Sequence, residues 1–171
     1  SFPTRRSSDY EALSAVDIRK ADAKTTYWVT KLLRDYRRAG VDRDEATRKK
    51  VQALQDSLVI IGQTFDRNIR DGQRSIELDG VKDLDGLPQD FIDAHRPGPD
   101  GKIKLTTNYP DYIPYITYAK STANRRRIYL EYLKRANPAN LAVLSQLIET
   151  RTALANTLGY KTWADYITEN K

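Results

Sequence analysis

The sequence predicts a mainly α-helical protein with one short antiparallel β pair. Long stretches without Pro or Gly carry apolar residues at three- and four-residue steps, which is typical of amphipathic helices. Two short runs alternate apolar and polar residues between turn residues, as paired strands do. With 171 residues, 39% hydrophobic and 30% charged, the chain can bury a core as one domain or as part of a larger one.

The first two predicted helices have clear boundaries. Residues 10–39 contain no Pro or Gly and predict one helix, with Gly40 as its stop. Asp42 and Glu45 are interpreted as an acidic capping box for a helix from about 43 to 70. Because the loop between them is short, we expect an antiparallel hairpin. The second helix carries the clearest apolar stripe: Val51, Leu54, Leu58, Ile61, Phe65 and Ile69.

The middle of the chain carries the β pair and a short helix. Residues 75–78 and 102–107 alternate apolar and polar side chains and are predicted to pair antiparallel. Between them, Pro88 is placed at the first position of a helix over 89–95. Turn residues fill 96–101.

A tyrosine-rich segment follows, over 108–118. Pro110 and Pro114 are expected to restrict the regular helix to the part after Pro114. Packing of this segment against helices is the main interpretation, and stacking on a ligand or peptide is the alternative. The four tyrosines recur at three-residue steps: Tyr109, Tyr112, Tyr115 and Tyr118.

Three further helices are predicted to the end of the chain. The second should carry a covered apolar stripe with Leu141, Leu144 and Ile148, and should end at Gly159. The last is expected to continue to the end of the chain without a stop. The helix starts are Ser121 or Thr122, Asn137 with Pro138, and Thr162 with Asp165 at the third helical position.

Composition excludes several kinds of site. Cysteine is absent, which excludes disulfides, thiolate zinc sites and a cysteine nucleophile, and leaves the cellular compartment open. His95 is the only histidine, so the chain lacks the histidines that common zinc and serine hydrolase sites require. No apolar run approaches about 18 residues, so no membrane span is predicted.

The remaining chemical candidates have structural interpretations. His95 is expected to be a surface or helix C-cap residue. The pairs Asp83/Asp85 and Asp90/Asp93 could suggest a metal or acid/base site, and Asp90 and Asp93 are instead expected to be first-turn charges that favour a helix N-terminus. The net charge of +6 is a mild excess for this length. Residues 125–127 with Lys134 and Arg135 predict a solvated basic face with packed tyrosines, and no nucleic-acid partner. The scattered glycines form no phosphate loop. We therefore assign no catalytic, cofactor-binding or metal-binding residue.

The two ends of the chain are expected to be cut. Residues 1–9 match, codon by codon, the translation of a common sequencing-adapter oligonucleotide, and the alternative is a natural disordered terminus. No apolar segment typical of a signal peptide follows Arg5 and Arg6. Residues 10–171 are then one helical region truncated at both ends, and we expect it to expose apolar surface, to be marginally stable or to self-associate.

Several segments, in order, resemble the thimet oligopeptidase family, the M3 zinc metallopeptidases. The likeness covers about 145 residues. Each piece is weak by itself, and the ordered set is specific. The segments are YWVTKLLRDYRRAGVDRDEATRKKVQALQDSL at 27–58, QTFDRNI at 63–69, LDGLPQDFIDA at 84–94, KIKLTTNYPDYIPYITY at 102–118, NRRRIYLEYLKRA at 124–136 and LANTLGYKTWADYI at the end of 141–167.

This resemblance implies a zincin-like parent enzyme that cleaves short peptides. Family members hold zinc with an HExxH helix and a more distant glutamate, and that motif is absent from this sequence. The resemblance therefore implies a noncatalytic region that forms part of a channel wall, binds no zinc itself and is inactive without a C-terminal catalytic region. Two other hypotheses remain open: a stand-alone helical interaction module and a basic RNA-binding helical protein.

Overall fold

The computed structural model describes residues 7–169 and confirms a mainly helical fold with one antiparallel two-stranded sheet. The elements in chain order are α1 (Ser7–Ser14), α2 (Ala23–Arg38), α3 (Glu45–Asp71), β1 (Ser75–Leu78), a 3-10 helix (Val81–Leu84), α4 (Gln89–Ala94), β2 (Ile103–Thr106), α5 (Tyr109–Tyr118), α6 (Thr122–Leu133), α7 (Ala139–Thr157) and α8 (Trp163–Thr168). Residues 7–169 contain no helix whose length and hydropathy would suit a bilayer span.

The chain divides into two compact units. The first contains residues 7–62 and 144–169 of the described range, and the second contains Gln63–Val143. The core of the first unit is small: Val51, Leu154 and Leu158, with Leu54, Leu58, Tyr160, Trp163 and Tyr166 packed around them. The core of the second unit is larger: Ile76, Leu78, Leu84, Leu87, Phe91, Ile103, Leu105, Tyr112, Tyr115, Ala119 and Ile128.

The helix predicted over residues 10–39 is two helices. Asp22 accepts hydrogen bonds from the backbone N–H groups of Lys24 and Thr25, both at 2.9 Å, and so begins α2. An aspartate cap competes with helix continuation, which is why a stretch without Pro or Gly still breaks. Of the proposed adapter segment, residues 1–6 lie outside the described residues, whereas Ser7–Asp9 belong to α1.

The cap of α3 is Asp44 and not Asp42. The Asp44 carboxylate accepts from the Thr47 backbone N–H at 2.8 Å and from the Thr47 hydroxyl at 2.9 Å, and this lowers the pKa of Asp44. The predicted stop at Gly40 is confirmed, with φ of +75°. Val51 on α3 packs with residues of α7, and α2 packs against α1. The antiparallel α2–α3 hairpin expected from the short loop stays a prediction.

The β pair confirms the predicted strands and their antiparallel direction. Ile76 pairs with Leu105, and Leu78 with Ile103, so these four apolar side chains are buried in the second unit. The intervening short helix begins at Gln89 as predicted and ends one residue early, at Ala94. Pro88 is its N-cap and not its first residue.

The prediction that Pro110 and Pro114 confine the helix to the residues after Pro114 is wrong. Helix α5 begins at Tyr109, with Pro110 near its start and Pro114 inside it. A proline in the first turn loses no hydrogen bond, because the N–H groups there have no helical partner. Pro114 removes one N–H from the middle of the helix, and the buried Tyr112 and Tyr115 hold the helix in the core.

The N-caps of α6 and α8 are as predicted, whereas the burial of the apolar side chains of α7 is not. Ser121 caps α6, and Thr162 with Asp165 forms the predicted capping box of α8. Helix α8 ends at Thr168, short of the chain end, and residues 170–171 lie outside the described range. The expected cover of the α7 stripe is wrong: three of its side chains are exposed, Leu141 by 63%, Leu144 by 42% and Ile148 by 55%.

Candidate functional site

His95 is the helix C-cap predicted, but it is not a surface residue. Its side chain is only 15% exposed and lies parallel to the Phe91 ring, with centroids 4.0 Å apart. Nδ1 lies 2.8 Å from the Phe91 carbonyl oxygen, and Nε2 lies 3.1 Å from Oδ1 of Asp111. A carbonyl oxygen only accepts, so Nδ1 carries a proton, and both ring nitrogens are engaged within the fold. His95 therefore connects the end of α4 to α5 through its contact with Asp111.

Asp111 has a structural role in joining elements of the fold, and the sequence analysis did not single it out. It lies in the first turn of α5, where a negative charge suits the helix dipole. Its Oδ2 accepts from the backbone N–H of Thr106 at 2.9 Å and from the Thr106 hydroxyl. One carboxylate thus joins β2, α4 and α5. The sequence offers a weak indication of this, since an acid two residues into a helix often caps or braces a neighbouring turn.

The four candidate carboxylates do not converge on a common point. Each has its own hydrogen-bond partner, and Asp90 lies in the first turn of α4 as expected. Among residues 7–169, no group of three or more His, Cys, Asp or Glu is arranged to hold a metal ion. The contacts are Asp83 with the backbone N–H of Asp79, Asp85 with Lys120, Asp90 with the backbone N–H of Phe91, and Asp93 with the Gln89 amide.

Part of the predicted basic face is directed into the second unit. The guanidinium of Arg127 donates to Oδ1 of Asn124 at 2.8 Å and to the Glu77 carbonyl at 3.0 Å. Arg135 donates to the carbonyl oxygens of Ile69 at 2.7 Å and Thr107 at 3.0 Å. These two arginines act as cross-links between elements, because backbone carbonyls at helix and strand ends lack other donors.

Glu131 sits between two of the remaining basic groups. Its carboxylate accepts from Lys134 at 2.7 Å and also from Arg74 of the neighbouring segment. The hydrogen bond from Lys134, followed by that from Arg74, holds the pKa of Glu131 below its ordinary value.

Arg125 and Arg126 lie on a different face of α6 from Arg127. Together with Thr122, Tyr129 and Ile116 of α5, they line a shallow surface pocket that we call the α5–α6 pocket. Arg125 donates to the Thr122 hydroxyl at 3.1 Å, and its Nε is buried without a hydrogen-bond partner.

The tyrosines divide into packed and exposed pairs. Tyr112 stacks on Tyr132 with ring centroids 4.1 Å apart and an angle of 6°. The buried Tyr115 hydroxyl donates to the Asp83 carbonyl at 2.9 Å, and burial raises the pKa of Tyr115. Tyr109 and Tyr118 are exposed by 65% and 56%. The middle two tyrosines are therefore buried among the helices, whereas Tyr109 touches Tyr132 of α6, with ring centroids 6.3 Å apart, and stays exposed.

The comparisons with known proteins identify the class of this helical region. No family model matches the chain. It is 28% identical over 155 residues to saccharolysin from Saccharomyces cerevisiae, covering 86% of this chain and 22% of that protein. It is 25% identical over 177 residues to organellar oligopeptidase A of Arabidopsis thaliana, covering 94% and 21%. It is 30% identical over 155 residues to oligopeptidase PhomG of Diaporthe leptostromiformis, covering 88% and 21%.

These similarities confirm the resemblance found in the sequence. The chain is a mainly helical, M3 oligopeptidase-like region. It spans about a fifth to a quarter of the length of the curated relatives that it matches.

Proposed function

We propose that this chain is a noncatalytic helical region of an M3-type zinc metalloendopeptidase that hydrolyses short peptides. One observation carries the proposal: the similarity extends over most of this chain but over only 21% to 24% of saccharolysin and of two proteins that are oligopeptidases by name. In the proposal, the region forms a helical wall of the substrate channel, and the zinc-binding HExxH helix belongs to a catalytic region C-terminal to it.

The residues of this chain do not fit the zinc ion of such enzymes. Three protein ligands around an open position are the minimum for a catalytic zinc site, and two of them are usually histidines. The sequence has one histidine, and its two nitrogens face the Phe91 carbonyl and the Asp111 carboxylate. We derive no step through a metal for this chain, and we propose that it is inactive by itself.

The surface of α7 supports a place within a larger protein. Leu144 and Ile148 lie four residues apart on one helix face and are 42% and 55% exposed. Ile60 on α3 is 62% exposed as well. Apolar side chains that recur on one helix face are typical of packing surfaces, so these residues are suited to contact a further part of the parent protein.

A stand-alone helical interaction module is the second candidate, and the same exposed face favours it. The two candidates differ in what the gene encodes after Lys171. A reading frame that continues into an HExxH helix supports the peptidase region, and a stop codon there supports the module.

The activity test compares two products of the gene. The full reading frame and the 171-residue chain are purified and assayed with a short internally quenched peptide, with and without added zinc and a chelator. We expect zinc-dependent cleavage by the full product and none by the 171-residue chain. Zinc-dependent cleavage by the 171-residue chain would contradict the noncatalytic assignment, and an inactive full product would contradict the peptidase assignment.

A further inference from the structure

We propose that the α5–α6 pocket binds the free C-terminal carboxylate of a short peptide that ends in an apolar residue. The inference rests on the proposed function for its ligand class, short peptides, and on the pocket for its chemistry. The five lining residues are Ile116, Thr122, Arg125, Arg126 and Tyr129.

The pocket is built on one face of α6. Thr122, Arg125, Arg126 and Tyr129 follow the spacing i, i+3, i+4 and i+7, which places their side chains side by side along the helix. Ile116 contributes from α5, where it packs against the buried core of the second unit. The arrangement is therefore supported by packed helices and not by a loop.

The two arginines present positive charge without an acidic partner. Within residues 7–169, neither Arg125 nor Arg126 forms an ion pair with an aspartate or glutamate. By contrast, Arg74 pairs with Glu131. A guanidinium matches a carboxylate through two parallel N–H···O bonds, so two adjacent guanidinium groups favour an anionic oxygen pair as ligand.

Arg125 can turn towards such a ligand at small cost. The only hydrogen bond of its side chain among the described residues is to the Thr122 hydroxyl, at 3.1 Å, and its Nε has no acceptor. A buried N–H without an acceptor is unfavourable, and a carboxylate would supply the missing acceptor after a modest rotation of the side chain.

The apolar lining selects the kind of carboxylate. Ile116 and the Tyr129 ring, which is 47% exposed, lie beside the guanidinium groups. The last residue of a peptide carries its carboxylate and its side chain on the same carbon atom, so one residue can fill both parts of the pocket. An aspartate side chain or a phosphate offers the charge without the adjacent apolar group.

The binding test uses the 171-residue chain and a labelled pentapeptide that ends in leucine. Fluorescence anisotropy compares the free acid, the C-terminal amide and a version ending in glycine, with inorganic phosphate as competitor. We expect the amide to bind about tenfold more weakly or worse, because it loses the charged hydrogen bonds. The glycine-ended peptide should bind several-fold more weakly, because it leaves Ile116 and Tyr129 uncovered.

Variants locate the site. Arg125→Gln and Arg126→Gln should each weaken binding of the free acid about tenfold, and Arg126→Lys should retain part of it because charge remains without the planar fork. Arg67→Gln is the matched control: Arg67 is exposed on α3 in the same unit, contacts Thr64, and its loss should leave binding unchanged. Circular dichroism verifies the fold of each variant.

Several results would overturn the proposal. These are equal binding of acid and amide, equal effects of Arg67→Gln and Arg126→Gln, phosphate competing as well as the peptide acid, or no binding to the chain. The binding test is independent of catalysis. If this chain binds the peptide and the full product is inactive, the carboxylate site is supported and the peptidase assignment is wrong. If the full product is active and this chain does not bind the peptide, the peptidase assignment is supported and the carboxylate site is wrong.

Discussion

Nε2 of His95 lies 3.1 Å from Oδ1 of Asp111, so two side chains sixteen positions apart join the end of α4 to the first turn of α5. The other carboxylate oxygen of Asp111 accepts from the backbone N–H and hydroxyl of Thr106 on β2. The contact is largely buried, since the side chains are 15% and 19% exposed. Three elements of the second unit therefore depend on one carboxylate.

Asp111→Ala should destabilise the second unit by about 1 to 3 kcal/mol, because the backbone N–H and hydroxyl of Thr106 lose their acceptor. Urea unfolding followed by circular dichroism measures the change. Asp66→Ala is the matched control, since Asp66 is exposed on α3 in the same unit. Equal unfolding midpoints for the two variants would contradict the bracing role.

Tyr115→Phe should cost about 1 kcal/mol of unfolding free energy, because it removes the donor to the Asp83 carbonyl in a buried site. Tyr118→Phe, which removes a hydroxyl at an exposed position of the same helix, should be neutral. Denaturant midpoints of both variants test this pair. If Tyr118→Phe cost as much as Tyr115→Phe, the hydroxyl bond would not be the cause.

Gly86→Ala should be far more damaging than Gly101→Ala. Both glycines have positive φ, +95° and +76°, which costs an alanine about 1 to 2 kcal/mol. A Cβ at Gly86 would also collide with the backbone carbonyl oxygen of Tyr118, whereas a Cβ at Gly101 meets nothing within 4 Å. We expect roughly 2 kcal/mol of additional loss at Gly86. Thermal unfolding of the two variants compares them, and equal losses would show that the collision is relieved.

Acid should weaken the second unit partly through Glu131. Its pKa is lowered in the folded chain, from the ordinary value of 4.5, by Lys134 and then Arg74. A lowered folded pKa means that the contribution is complete above that ordinary value and is lost as pH falls through the lower folded pKa. Glu131→Gln should therefore flatten the dependence of unfolding free energy on pH in this acidic range.

Urea titrations at a series of acidic pH values measure this dependence. Glu149→Gln is the control, since Glu149 is exposed on α7 and forms no ion pair among residues 7–169. An identical pH dependence for the Glu131→Gln variant and the original chain would exclude a contribution from this carboxylate.

Ile148→Gln and Leu144→Gln should reduce self-association of the isolated chain without lowering its stability. These side chains are exposed on α7, so their replacement removes apolar surface from solvent contact and leaves the core unchanged. Sedimentation velocity over a range of concentrations tests this expectation. Val81→Gln, at a 51% exposed position outside α7, should leave association unaltered. A chain that stays monomeric at all concentrations would contradict the expectation.

Local patterns predicted much of the fold. The alternation in β1 and β2 gave their extent to within a residue and their antiparallel pairing, and Thr162 with Asp165 forms the expected capping box. The extent of each strand and the capping box depend on residues close together in the sequence, where side chains determine the backbone directly. Helix α3 is likewise predicted to within two residues, because its apolar period is long and uninterrupted.

Tertiary contacts set the limits of prediction. The helix breaks before α2 because the Asp22 carboxylate accepts from the backbone N–H groups of Lys24 and Thr25, which would otherwise bond within a continuous helix. Helix propensity alone does not reveal this competition. The pairing of His95 with Asp111, and of Ile116 with the arginines of α6, depends on how separate helices pack. No local spacing carries that information.

The aromatic residues are unevenly divided between the two compact units. Trp28 and Trp163, the only tryptophans of the sequence, both belong to the first unit, whereas Gln63–Val143 contains tyrosine and no tryptophan. Emission excited at the red edge of the indole band therefore reports the first unit alone. Near-ultraviolet dichroism reports the aromatic rings of both units, since Tyr112 stacks on Tyr132 in the second and Trp163 contacts Tyr166 in the first. A change in dichroism without a matching change in tryptophan emission therefore reports the second unit, so one unmodified sample can give the order of melting of the two units.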